Sequence, residues 1–139
     1  MGASFEEKSV WIQLGAMLVC LGAYFVVAGR MLASGAREVA AFAGVFLVAA
    51  VVMVVLMVVA YATTALLSKV EGRDERDRLI SWKAEYRSSW VVSAGLLGGV
   101  TCMALGVNSV WTANLLLLSL ALAEVLGFAL QIVSYRRGA

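Results

Sequence analysis

Histidine and proline are both absent from the 139 residues, and charged side chains make up only 14% of them. Without histidine, and with Cys20 and Cys102 each inside an apolar run, neither a structural zinc site nor a disulfide framework is supported. Both thiols read as small side chains buried in helix packing. A net charge of +2 is too small to suggest a nucleic-acid partner, and no cofactor is implied. A soluble domain is excluded as well. About a quarter of its residues would be charged, whereas here 63% are apolar and the mean hydropathy is +0.93.

What is present is long, unbroken apolar sequence, so the solvent expected for most of the chain is a lipid bilayer. An unpaired backbone N–H or C=O costs several kcal/mol in hydrocarbon, so a spanning segment is either a helix or part of a closed barrel. Runs this long lack the alternating pattern of a barrel strand. The fold class expected is therefore an all-α membrane protein, a four-helix bundle forming a single transmembrane domain over residues 1–139.

Spans are expected over about 9–29, 39–68, 88–107 and 110–135. The first is read as a retained helix and not a cleaved signal, because Glu6 and Glu7 stand where a basic region would be and the apolar run has full spanning length. Ser34 and Gly35, between Arg30 and Arg37, supply turn chemistry for the first hairpin. The second run is longer than about 20 residues of helix require, so it should tilt or protrude, and its VVMVVLMVV centre carries no chemistry. Asn108 and Ser109 form an uncharged turn between the last two spans.

The charged segment 69–87, KVEGRDERDRLISWKAEYR, holds eleven of the twenty charged residues. Positive charge is retained in the cytoplasm in short loops. With four spans, Lys8, Lys69, Arg73, Arg76, Arg78, Lys83, Arg87, Arg136 and Arg137 share one side, against Arg30 and Arg37 opposite. Both termini and the central segment are then cytoplasmic.

Within that segment Arg73, Asp74, Glu75, Arg76, Asp77 and Arg78 alternate in sign, and Asp74 and Arg78 are one helical turn apart. Leu79, Trp82, Tyr86 and Trp90 recur at three- and four-residue spacing, which aligns them on one side of a helix, with Lys83 and Arg87 near the headgroups. The third helix is accordingly expected to begin in the cytoplasm as an amphipathic extension. It reads either as a solvated, ion-paired anchor or as a docking surface for a soluble partner.

Small residues form a second signal. Gly95, Gly99, Cys102 and Gly106 fall on one stripe of the third span, and Gly15, Gly22 and Gly29 recur every seven residues in the first. Such stripes let helix backbones approach closely in lipid, either inside one bundle or along a homodimer seam.

Glu124 is the residue that could carry chemistry. It lies about 17 Å from the cytoplasmic end of the fourth span, and a carboxylate near mid-bilayer costs at least about 2.5 kcal/mol, so it should stay protonated or face a polar interior. Gly127 and Gln131 continue its face, and Thr101 or Tyr24 is the expected hydrogen-bond partner on another helix. No second carboxylate, base or nucleophile is evident beside it in the membrane, so an enzyme is not expected.

The segment EGRDERDRLI (residues 71–80), the Glu124 and Gln131 pattern and the closing Tyr135-Arg136-Arg137-Gly138 resemble a group of small four-span bacterial membrane proteins with a DERD-type loop and a YRRG-type tail. The resemblance covers roughly residues 40–138 and implies a bacterial inner membrane. That group has no settled activity. In length and span number the chain is also similar to the small multidrug-resistance transporters, which use one membrane carboxylate for proton exchange. Their working glutamate belongs to the first span, where this chain has no acid between Ser9 and Gly29. The expected function is a non-enzymatic membrane scaffold or regulatory subunit that engages a partner through the charged helix. The alternative is a proton-coupled transporter or channel for small solutes working through Glu124.

Overall fold

The computed structural model describes residues 5–67 and 74–137, all of them in four helices and the turns that join them. The helices are α1 (Phe5–Ala33), α2 (Val39–Leu67), α3 (Glu75–Ala104) and α4 (Ser109–Arg137). Residues 68–73, which include Arg73 and the start of the charged segment, lie outside the described residues, as does Gly138 of the closing motif. Among the described residues three helices, α1, α2 and α4, are long and apolar enough to cross a membrane. The third is not among them, because the acidic and basic residues of its first half and the serines and glycines of its second dilute its apolar content.

The helix ends follow from local chemistry. Asp74 caps α3: its Oδ1 accepts from the Glu75 N–H at 2.7 Å, while Asp77 Oδ2 accepts from the Asp74 N–H at 3.2 Å, closing a capping box. Asn108 does the same for α4, its Oδ1 accepting from the Val110 N–H at 2.9 Å. Two glycines end the preceding helices in the left-handed region, Gly35 at φ 90° and Gly106 at φ 72°. Each sits in a Schellman arrangement: the Ala36 N–H donates to Met31 O at 3.0 Å and the Val107 N–H to Cys102 O at 2.9 Å. Gly106 was expected on the packing stripe of the third span, but the helix stops at Ala104 and the residue turns the chain. Only glycine takes that conformation without steric cost.

The packing is less even than a closed bundle. Helix α4 is central, with α3 along one flank and α1 along another; α1 also packs on α2, which touches α4 only lightly. The core cluster is Tyr24, Ala28, Phe42 and Val110, where α1, α2 and α4 meet. Among the described residues of α2 only Phe42 and Thr64 are buried, and the valine-rich centre is exposed apolar surface suited to lipid. Thr64 returns its hydroxyl to Ala60 O at 2.7 Å, a bond that removes a donor from hydrocarbon.

The α3–α4 hairpin is antiparallel and tight. A Cβ at Gly95 would collide with the Ser119 side chain, one at Gly99 would lie 2.7 Å from Leu116 Cδ2, and one at Gly127 would lie 3.2 Å from Ser88 Oγ. Ser88 thus faces Gly127, Gly95 faces Ser119 and Gly99 faces Leu116. At the opposite end of α1 from the core cluster, the ring of Phe5 meets Tyr61 edge-on at 6.2 Å, and the Arg136 guanidinium lies 5.3 Å from the centre of the Trp11 ring. The start of α1 and the ends of α2 and α4 therefore gather at one end of the molecule, and the antiparallel register brings the start of α3 there too.

Candidate functional site

Glu124 stands on the face of α4 between its two packed flanks. Toward α1 and α2 it borders an apolar cavity of about 140 Å³, whose lining includes Met17, Tyr24, Phe25, Phe46 and Met53. Toward α3 it borders a second, polar cavity of about 190 Å³ together with Glu85, Ser88, Gly127, Phe128 and Gln131. The carboxylate is itself exposed at the seam of the two and is not enclosed by either. One acid thus has an aromatic and thioether wall on one side and a hydroxyl, an amide and another acid on the other.

That other acid comes from the charged segment. No second carboxylate is expected beside Glu124 in the membrane, and Glu85, from the segment 69–87, lines the same cavity. Its place follows from the hairpin register: Ser88 faces Gly127, so the residue one turn earlier on α3 comes level with the residues after Gly127 on α4. The stripe of Gly99, Gly95 and Ser88 carried the information. Continued backward by one turn, it reaches Glu85.

The expected hydrogen-bond partners of Glu124 are engaged elsewhere. The Tyr24 hydroxyl donates to Asn114 Oδ1 at 3.1 Å, and the Asn114 amide in turn donates to Val110 O at 2.8 Å. Tyr24 also makes edge-on contacts with Phe25 and Phe46, at 5.1 and 5.9 Å between ring centres. It is a structural link between α1 and α4 that fixes one wall of the apolar cavity. Thr101 returns its hydroxyl to Leu97 O at 2.8 Å and is exposed, away from both cavities. Of the expected polar trio, Glu124 and Gln131 come together and Thr101 does not.

The packing glycines divide in the same way. Gly95 and Gly99 lie against α4, while Gly15 and Gly22 have none of the described residues within 4 Å of a Cβ built on them. Cys20 is buried beside the apolar cavity and Cys102 is partly buried, and both are free thiols. No group of three or more His, Cys, Asp or Glu side chains among the described residues is arranged to hold a metal ion.

At the charged end, Glu75, Arg76 and Arg78 are exposed, while Asp74 and Asp77 are occupied with capping. Leu79, Trp82, Tyr86 and Trp90 are all exposed in a row on the outer side of α3, with Trp82 and Tyr86 tilted against each other at 6.4 Å. Comparison with protein-family models, with curated proteins and with solved structures gives no match.

Proposed function

We propose that the chain is a multi-pass membrane protein that binds a small, largely apolar solute carrying positive charge at Glu124 and couples its passage to a proton. The observation that carries this reading is the position of Glu124 at the seam between an apolar cavity and a polar one. A recognition site for a lipophilic cation needs an apolar enclosure for the body and one well-placed acid for the charge. Tyr24, Phe25 and Phe46 provide rigid aromatic surface, and Met17 and Met53 provide side chains that repack around different shapes. Glu85 and Gln131 supply a polar route by which a proton or the solute leaves Glu124 toward the charged end of the hairpin.

This reading takes four spans, with both termini and the segment 69–87 in the cytoplasm of a bacterial inner membrane. The tight α3–α4 hairpin supports it, since a helix packed along α4 down to the Asn108 turn accompanies α4 into the bilayer. The concentration of Lys and Arg at the end where Trp11 meets Arg136 supports the orientation.

The decisive measurement is uptake of benzyltrimethylammonium, a single-ring permanent cation, into proteoliposomes under an imposed pH gradient, followed by a screen of other small cations. The parent protein should accumulate at least one of them, Glu124→Gln should reduce that flux to the level of empty vesicles, and Glu85→Gln should slow it about tenfold. A parent protein without flux across the screen, or an unimpaired Glu124→Gln, overturns the proposal.

A second reading, the scaffold or regulatory subunit, draws on a separate observation: the exposed row of Leu79, Trp82, Tyr86 and Trp90 with Arg76 and Arg78 at its charged end. It holds that a soluble cytoplasmic partner or another membrane subunit docks on α3. Charge reversal at Arg73, Arg76 and Arg78 then abolishes co-purification of that partner while insertion is unchanged. Unchanged recovery removes this reading.

A further inference from the structure

Helix α3 separates two grooves of opposite character. The groove on the Glu85 side is the acidic one described above. On the other side, Tyr86, Arg87, Trp90 and Ser93 of α3 and Leu126 and Leu130 of α4 line an open groove of about 650 Å³, with Arg87 as its single charged residue among those described. Lys83 is exposed one helical turn before Arg87 and adds a second cation to that flank.

The depth of Arg87 matters. It shares a groove with Leu126 and Leu130, seven residues or more before Arg137, so it lies about 10 Å short of the charged end of α4. A guanidinium at the boundary between headgroups and hydrocarbon needs an anionic partner or a route to water, and among the described residues its groove offers no carboxylate. Leu126 and Leu130 make the α4 wall of the groove apolar. Trp90 beside it carries an indole N–H donor and is the type of residue that settles at headgroup level.

We infer that this groove holds an anionic phospholipid, its phosphate on Arg87 and one acyl chain against Leu126 and Leu130. The guanidinium is planar with several donors, which suits a phosphodiester better than a single ammonium does. The apolar floor excludes small soluble phosphates as full occupants. The site is independent of Glu124, which lies on the opposite side of the α3–α4 contact.

The test is native mass spectrometry of the full chain in mild detergent, with phosphatidylglycerol and phosphatidylcholine of identical acyl chains added in turn. Phosphatidylglycerol should be retained about tenfold more than phosphatidylcholine. Arg87→Gln should lower that retention at least fivefold, Arg87→Lys should keep an intermediate amount, and Arg136→Gln, outside the groove, should leave it within twofold. Equal retention of the two lipids, an Arg87→Gln variant that behaves as the parent, or an equal loss in Arg136→Gln overturns the site. Displacement of phosphatidylglycerol by millimolar glycerol phosphate would likewise overturn it, since the acyl chain would then add nothing.

Discussion

Helices α1 and α3 each carry glycines at spacings suited to helix contact, and the two sets have opposite fates. On α3, Gly95 and Gly99 are closed over by Ser119 and Leu116 of α4, so that any side chain there meets an occupied position. On α1, an added side chain at Gly15, Gly22 or Gly29 would meet none of the described residues within 4 Å, although α1 packs against both α2 and α4 through other residues. A small-residue stripe therefore permits close approach without compelling it. The glycines of α3 lie on the side that the short Asn108 turn folds onto α4, whereas α1 meets its neighbours through Tyr24, Ala28 and Met17.

The sharpest way to break this comparison is to fill the closed stripe. Gly99→Leu forces Leu116 out of a contact that would be 2.7 Å from a Cβ, and overpacking of this kind costs about 2 to 3 kcal/mol. Unfolding of the detergent-solubilised chain should show a loss of that size. Stability within about 0.5 kcal/mol of the parent would mean that α3 and α4 are not packed through this stripe.

Turn glycines sharpen the contrast, because there the two hairpins should behave alike. Gly35 and Gly106 both have positive φ, and placing an ordinary side chain in that region costs about 1 to 2 kcal/mol. Gly35→Ala and Gly106→Ala should each lower stability by about 1 kcal/mol, in contrast to the glycines of the two stripes. Asp74→Ala should cost about 1 kcal/mol through loss of the cap. Since the first turn of α3 reaches beyond the paired length of α4, the loss should appear as faster amide exchange over residues 75–79 and not as a lower global midpoint.

How much of this was legible beforehand depends on the physical signal involved. Apolar run length in lipid dictates helices, so their number and near-boundaries could be read directly, and α3 does begin within the charged segment, at Glu75. Which faces touch could not be read, because lipid-facing and protein-facing surfaces are equally apolar: nothing in the spacing of Gly22 distinguishes it from Gly95. Glu124 and Gln131 could be grouped because they share one helix face, whereas the companionship of Glu85 depends on the register between two helices. Thr101 and Tyr24 looked like partners for a membrane acid by residue type. Their hydroxyls are taken by Leu97 O and Asn114, a competition that is settled only when the backbone is in place.

The smallest expected effect is also the one that decides what the open stripe on α1 is for. In a monomer, Gly22→Ala adds a methyl group to unoccupied space and removes the backbone entropy that glycine carries, so the helix should gain about 0.5 kcal/mol. Gly22→Leu should be as harmless, because the face has room for a larger side chain. If a second copy of the chain seats there, Leu at position 22 meets an occupied surface as it does at position 99. The cost then grows with protein-to-detergent ratio, since only the associated form is strained. Unfolding curves for the parent and for Gly22→Leu at two such ratios separate these outcomes: a gap between them that stays the same leaves α1 facing lipid, and a gap that widens with the ratio turns its stripe into a dimer seam.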